Sequence, residues 1–312
     1  MRIVFLGTPS FAVPTLEALL TGGYEIAAVY TQPDRPQGRG QEMGVSPVKE
    51  CALRHGLEVR QPPRIRHPEV VEQLRDLQAK AMVIVGYGQI IPQSIIDLPE
   101  LGIINVHASL LPKYRGAAPI QWAIARGERV TGVTTMRIDA GLDTGEMLMR
   151  EETEIGPEET ALELGPRLAE MGAELLLRTL SELEDGSLIG EPQDNELATL
   201  APILKREDGL VDWNRPAAET HCRARGFLPW PGAWTYFRGQ RFNIWCCRLA
   251  DLASNSAPGT MFVSGKRLYV ACGAGVLELL EVQIEGRKRL RAAEFLNGVR
   301  LEEGLRLGEN RS

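Results

Sequence analysis

Two polar residues stand in a run that otherwise reads as the interior of a sheet. In "GIINVHASLLPKYRGAAPIQWAI", residues 102 to 124, Asn105 and His107 interrupt Ile103, Ile104 and Val106. Side chains at i and i+2 share one face of a strand, so the carboxamide and the imidazole are neighbours. Burying either costs free energy unless it is hydrogen-bonded, and Asn is depleted from strands. Further on, "DAGLDTGEM", residues 139 to 147, closes another apolar run with a Gly-rich loop carrying Asp139 and Asp143. One of these carboxylates, brought to the imidazole, would fix its tautomer and make it a general acid/base. The Asn offers an N–H₂ donor to an oxygen that becomes negative. Neither Ser nor Cys occupies a nucleophile elbow. The set therefore suits direct acyl transfer, in which the substrate supplies the nucleophile. Spacing alone also fits two satisfied polar residues, the commoner case, and a simple turn or metal-binding loop for the Asp segment.

The elements that must position these residues alternate. "RIVFLG" (2–7), "EIAAVYT" (25–31), "AMVIVGYG" (81–88), "GIINVHAS" and "TGVTTMRID" (131–139) read as strands. Helical patterns lie between them in "FAVPTLEALLTGG", "VKECALRHG", "PEVVEQLRDLQ" and "APIQWAIARGE". Strands alternating with helices imply crossover units and a mostly parallel sheet, whose ligands bind beyond the carboxyl ends of the strands. Asn105 and His107 sit near that end of theirs. A long polar loop is expected at 32–47, and a long helix over 159–186. After a linker the chain changes to short strands between Gly turns, "RFNIWCCRLA", "GTMFVSGKRLYVACG" and "VLELLEVQIEG", which suggests a small β-barrel or sandwich. The expected division is 1–186 for the first domain, 187–206 for the linker and 207–312 for the second. "GTPSFAVP" lacks the full G-x-G-x-x-G pattern and reads as a tight turn, and no Walker loop is present.

With 312 residues, 44% apolar and 24% charged, the chain has the length and composition of a soluble protein with a full core. The apolar run at the start is too short for a signal peptide and none approaches a membrane span, so a cytoplasmic location is expected. The five cysteines show no C-x-x-C spacing and read as reduced thiols, with no metal expected. A net charge of −6 hides an uneven distribution. Carboxylates dominate Glu151 to Asp185, whereas Arg215, Arg223, Arg225, Arg238, Arg241 and Arg248 follow, with a basic run "GRKRLR" at 286 to 291. Such asymmetry hints at a polyanionic partner, although a solvated surface explains any single run.

"INVHASLLPKYRGAAPI" together with "GVTTMRIDAGLDTGEML" resembles the folate-dependent formyltransferase family. The resemblance implies a Rossmann-like domain that takes 10-formyltetrahydrofolate as co-substrate, with Asn105, His107 and Asp143 as the catalytic set. It implies folate contacts at Leu110, Leu111, Pro112 and Lys113, although Leu110 and Leu111 alone also fit core packing. "FLGTPSFAVPTLEALL", "TQPDRPQGRG", "LAPILKREDGLVDW", "GFLPWPGAWT" and "AAEFLNGVRLEEGLRLG" are similar to those family members that formylate methionine on charged initiator tRNA. For such a member Arg35, Arg39, Lys205, Arg206, Arg287, Lys288 and Arg289 would meet tRNA, and a monomer is implied. Gln41 and Glu42 replace lysines usual in the family, which weakens the case for that loop. The expected fold class is thus α/β, a Rossmann-like mostly parallel sheet followed by a smaller β-barrel (OB-like) domain. Three other readings stay open: an amino-sugar-nucleotide formyltransferase, a hydrolase of the same folate, and a non-catalytic RNA-binding protein.

Overall fold

The structure, a computed structural model, describes residues 1–37 and 42–308. They form two compact units that do not follow chain order. The first comprises Met1–Gly116, Thr131–Thr153 and Gly165–Leu200; the second comprises Ala117–Val130, Glu154–Leu164 and the chain from Ala201 onward.

Nine strands fall in the first half: β1 (Arg2–Gly7), β2 (Glu25–Tyr30), β3 (Arg35–Gln37), β4 (Glu42–Gly44), β5 (Val59–Arg60), β6 (Ala81–Val85), β7 (Ile103–His107), β8 (Val130–Arg137) and β9 (Met147–Glu154). Helices α1 (Val13–Thr21), α2 (Pro47–Arg54), α3 (Pro68–Asp76), α4 (Gln93–Ile96), α5 (Pro119–Ala125) and α6 (Ala161–Asp185) alternate with them. Seven strands make one sheet in the order β5-β2-β1-β6-β7-β8-β9. From β5 to β7 every pairing is parallel, as the alternation predicts, whereas β8 runs antiparallel to β7. The reason lies in the connection. Ala117–Val130, with α5, belongs to the second unit, so no helix crosses this sheet between β7 and β8. The expected polar loop at 32–47 holds a short hairpin, with Arg35 opposite Gly44.

Strand alternation decides which residues meet which helices. Ile3, Phe5, Val83, Val85, Ile104 and Val106 pack with Leu16, Val48, Leu176 and Leu180 of α1, α2 and α6. Val4, Leu6, Met82, Ile84 and Ile103 pack on the opposite face with Leu74 of α3 and Ile95 of α4. Asn105 and His107 extend the Ile103 row. Between them Val106 points the other way, toward α6, where a Cβ placed on Gly172 would lie 2.6 Å from Val106 Cγ1. A glycine there lets the helix come close beneath the strand that carries the polar pair.

The second unit contains α7 (Ala217–Gly226), β10 (Ala233–Phe237), β11 (Gln240–Ala250), β12 (Met261–Ser264), β13 (Arg267–Ala271), β14 (Val276–Ile284), β15 (Leu290–Arg291) and α8 (Ala292–Gly298). The β-rich half is an antiparallel sheet in the order β10-β11-β14-β13-β12, with β15 on β14. Phe242, Leu268, Val270, Leu277, Leu279 and Val282 fill its core, closed by Trp213 and Phe295. In α7 the buried His221 places Nε2 3.1 Å from Glu158 Oε2. Burial depresses its affinity for a proton, and Arg225 adds to that against the opposing pull of Glu158.

Two outcomes follow from this packing. Gly172→Val should overpack α6 against β7 and lower stability by about 1–3 kcal/mol, read from urea unfolding. For His221 the folded chain binds the proton more weakly than the unfolded chain, whose value is near 6.5. Stability should therefore fall as pH drops below that value, and His221→Gln should flatten the acid side of a plot of Tm against pH.

Candidate active site

Asn105 and His107 occupy the carboxyl end of β7, where the sheet changes from a parallel to an antiparallel neighbour. Asn105 lies opposite Ile84 of β6 and Met136 of β8, and His107 opposite Thr134. They are 8% and 6% exposed. His107 Nε2 is 2.9 Å from the carbonyl oxygen of Tyr114. A carbonyl only accepts, so Nε2 carries the hydrogen and Nδ1 is the basic nitrogen of the neutral ring. Nδ1 faces Asp143 Oδ2 at 3.8 Å, an ion-pair separation rather than a hydrogen bond. The same Oδ2 accepts the backbone N–H of Gly116 at 2.8 Å. Asp139 is exposed and turned into its own loop, accepting from the Thr144 hydroxyl at 2.8 Å and the Gly141 N–H at 3.0 Å. Of the two carboxylates, Asp143 is the one that reaches the imidazole. The Asn105 carboxamide makes no hydrogen bond to protein among the described residues.

The segment after His107 is held from within. The buried Thr134 hydroxyl donates to the Ser109 carbonyl at 2.7 Å and accepts the Leu111 N–H at 3.2 Å. Ser109 Oγ donates to the Lys113 carbonyl at 2.6 Å. Leu111 is buried against Met136 and Met147, whereas Leu110 and Pro112 are half-buried and Lys113 is exposed. The candidate folate segment therefore presents Leu110, Pro112 and Lys113 outward, and Leu111 supports them from beneath. Tyr114 and Asp143 both adopt left-handed backbone, with φ of 62° and 51°. That region is sparsely populated without glycine and persists where the surroundings hold it. The holding contacts come from Gln193 and Thr199, in the stretch that reads as a linker. Polar side chains in an aperiodic stretch carry no periodic signal, so the sequence analysis missed them.

Of the candidate basic positions, Arg35 is exposed on β3, and Arg39 lies outside the described residues. Lys205, Arg206, Arg287, Lys288 and Arg289 are exposed in the second unit, where Arg289 pairs with Glu281 and lies over the Trp245 ring. Arg206 also lines a cleft of about 330 Å³ with Trp234, Tyr236, Arg241 and Glu285. The Arg206 and Arg241 guanidinium carbons lie 5.7 and 4.6 Å from the Trp234 ring centre. Two like charges beside one ring repel, and burial together with Arg206 weakens the hold of Arg241 on its proton. Trp234 and Tyr236 line this cleft without standing out in the sequence, where Arg241 is one of a run of arginines; the alternation within "AWTYF" was the available signal.

Among the described residues one group offers metal-ligating atoms at mutual distances within 4.8 Å: Glu17, Cys51 and His55. It lies on α1 and α2, away from His107. Glu17 already pairs with Arg54, and burial with Glu17 pushes the Cys51 thiol up, which disfavours a thiolate ligand.

Residues 1–180 match the family described as formyl transferase, and residues 203–300 match the formyl transferase C-terminal domain. The methionyl-tRNA formyltransferase of Solibacter usitatus is 64% identical over 309 residues, covering 99% of each chain. That of Koribacter versatilis is 55% identical over 310 residues, again covering 99% of each. Among solved structures, an N-formyltransferase from Helicobacter canadensis in complex with folinic acid and dTDP-3-aminofucose superposes with a TM-score of 0.69 at 17% identity, covering 89% of this chain and 98% of its own. HypX from Aquifex aeolicus in complex with tetrahydrofolic acid gives 0.63 at 16% identity, covering 95% of this chain and 47% of its own. At these identities the two structures speak for the fold alone.

Thr134→Val keeps the shape of the side chain but strands a buried N–H and a buried C=O beside β7. It should cost about 1–3 kcal/mol in urea unfolding.

Proposed function

The chain belongs to the formyl transferase family, and from that premise we propose that it moves the formyl group of 10-formyltetrahydrofolate onto the α-amine of methionine carried by initiator tRNA. One observation carries the reading at the site. Asn105, 8% exposed, keeps its carboxamide free of protein partners among the described residues without being sealed from the surface, on the same strand face as a His with a fixed tautomer. The Asn105 N–H₂ donor is therefore open to a ligand, and a substrate oxygen at that position is the group that would take its hydrogen bond.

The chemistry follows from the atoms. The acceptor amine attacks as the neutral base, and a free α-amino group has a pKa of about 7.7–8.0. Its addition to the formyl carbon places negative charge on the formyl oxygen, which the Asn105 N–H₂ stabilises as a donor. His107 Nδ1 takes the proton from the attacking nitrogen, Asp143 stabilises the imidazolium so formed, and the proton passes to the departing N10 as the bond to the formyl carbon breaks. No step requires a metal or a change of oxidation state. Leu110, Pro112 and Lys113 form the side of the site offered to folate, with Leu111 as their support.

For the acceptor, residues 1–186 carry the transfer, 187–206 link and 207–312 hold the tRNA. Phosphates would be met by Arg35, Arg39, Lys205, Arg206, Arg287, Lys288 and Arg289, and arginine suits them by its forked donors. The cleft of Arg206, Trp234, Tyr236 and Arg241 adds guanidinium charge beside an aromatic ring, the combination that takes nucleotides in single-stranded or frayed RNA. The protein acts as a monomer in the cytoplasm. No helix among the described residues is long and apolar enough to cross a membrane.

The test is formyl transfer from 10-formyltetrahydrofolate to methionine-charged initiator tRNA, with charged elongator tRNA, free methionine and an amino-sugar nucleotide as controls. Transfer should be confined to the charged initiator, and Asn105→Ala or His107→Ala should each lower kcat by about 10²–10³. Formate release without transfer, or transfer to the sugar nucleotide, would overturn the assignment.

A further inference from the structure

Both ring nitrogens of His107 face groups whose own positions are set by one short segment, Gln193 to Thr199. On the Nε2 side, the Tyr114 carbonyl accepts from the ring. Its residue is held by a bond from the Tyr114 N–H to Thr199 Oγ1 at 2.9 Å, and the next N–H, of Arg115, donates to the Thr199 carbonyl at 2.8 Å. On the Nδ1 side, Asp143 is held through its backbone. Gln193 Nε2 donates to the Asp143 carbonyl at 2.9 Å and to the Gly145 carbonyl at 2.8 Å.

The other end of the Gln193 amide is equally committed. Its Oε1 accepts from Arg115 Nε at 3.0 Å and from the same guanidinium through Nη2 at 2.8 Å, and Nη2 also donates to Asn195 Oδ1 at 2.9 Å. An arginine only donates and a carbonyl only accepts, so the orientation of the amide is determined by its partners. Two donors and two acceptor sites are all used. Arg115 is 6% exposed, and no carboxylate pairs with it among the described residues. A buried cation answered only by neutral oxygens is an uncommon arrangement, because a carboxylate would compensate it better. A carboxylate in place of the Gln193 amide could not donate to the two loop carbonyls. The residue is thus fitted to two demands at once, accepting from Arg115 and donating to the loop of Asp143.

We propose, on the assignment of Asp143 to the reaction made above, that Gln193 is a positioning residue: it clamps the 143–145 loop to the Arg115 turn and so sets the distance from Asp143 Oδ2 to His107 Nδ1. It touches neither the imidazole nor Oδ2, and its donations to the loop reach the reaction through Asp143. The backbone of Asp143 is in the left-handed region, where the loop without this clamp has other conformations open to it.

Three variants test this: Gln193→Met, which removes all four bonds; Gln193→Glu, which keeps acceptors for Arg115 but loses both donations to the loop; and Asp143→Asn with and without Gln193→Met. Misplacement of an acting group by about 1 Å costs on the order of 10²-fold, so kcat should fall about 10- to 100-fold in both Gln193 variants. KM for folate and for tRNA should stay within about threefold, since the binding surfaces are untouched. The double variant should be no slower than Asp143→Asn within about twofold, because a residue acting through Asp143 has nothing left to act on. Multiplying losses in the double variant would overturn the proposal, as would a kcat within about twofold of the native value in Gln193→Glu. A rise in KM at constant kcat would also overturn it and place Gln193 in binding. Should Gln193→Met fail to fold, Gln193→Glu with its Arg115 contact intact carries the same comparison. Full activity of Asp143→Asn would instead remove the role of Asp143 on which the proposal rests.

Discussion

The contact from His107 Nε2 to the Tyr114 carbonyl decides what the rest of the site can be. It assigns the ring hydrogen, leaves Nδ1 as the only basic nitrogen, and aims that nitrogen at the loop of Asp143. An imidazole on a buried strand has no solvent to satisfy it, so its partners must be supplied by chain that folds back over the strand end. The turn at Tyr114 does this at the expense of a left-handed residue, and the loop at Asp143 repeats the device. Both departures from ordinary backbone are tied down by hydrogen bonds to neutral groups, Thr199 Oγ1 for one and Gln193 Nε2 for the other. Asn105 is left out of this accounting. Its carboxamide takes no protein partner among the described residues and is not sealed from the surface, which suits a donor offered to a ligand.

The sheet makes this arrangement possible by alternation. Ile103, Asn105 and His107 share the face of α3 and α4, while Ile104 and Val106 anchor the same strand on the other side against α6. Two adjacent apolar contacts therefore hold the strand whose alternate residues are polar. Gly172 brings α6 close at Val106, the residue between Asn105 and His107. The change from parallel to antiparallel pairing at β7 has a related effect. In a fully parallel sheet the loops after β7 and β8 would leave from the same edge; with β8 reversed, the loop that follows it starts beside Ile103 and returns to its own strand through the Arg137 N–H and Glu146 carbonyl, 2.9 Å apart. Together with the bond from Gly116 to Asp143, this brings two loops distant in sequence to one imidazole.

Much of this was legible in the residues and some was not. Asn105 and His107 announced themselves because they break an apolar strand at period two, and the strand-helix alternation gave the parallel part of the sheet. Spacing alone could not separate Asp143 from Asp139, since both sit in one Gly-rich loop, and it was the family resemblance that pointed to Asp143; in the structure the Thr144 hydroxyl, by engaging Asp139, distinguishes them. The antiparallel β8 was hidden because α5 looks like a crossover helix, and only the assignment of 117–130 to the second compact unit shows that it is not one. Strand β9 was masked by its charge: "MLMREETE" is buried only at its start and alternates half-buried with exposed residues after it. Gln193 and Thr199 had no periodic signature at all. Their partners are backbone groups 48 to 85 residues away, and such pairings cannot be read from local pattern.

The charge distribution completes the argument. A chain with a net charge of −6 is repelled as a whole by a polyanion, so affinity for RNA has to come from local density. In the second unit several basic groups are engaged with acids or backbone: Arg248 with Glu278, Arg289 with Glu281, and Arg223 with the Asp208 carbonyl. Arg206 and Arg241 differ, since both lie against the same Trp234 ring, and burial together with Arg206 weakens the hold of Arg241 on its proton. An anion entering that cleft would relieve the repulsion between them, whereas a neutral ligand would not. The same physical rule governs both ends of the reading: a group that the fold leaves open, the Asn105 amide without a protein partner or the guanidinium groups crowded at Trp234, gains most from the ligand atom that answers it.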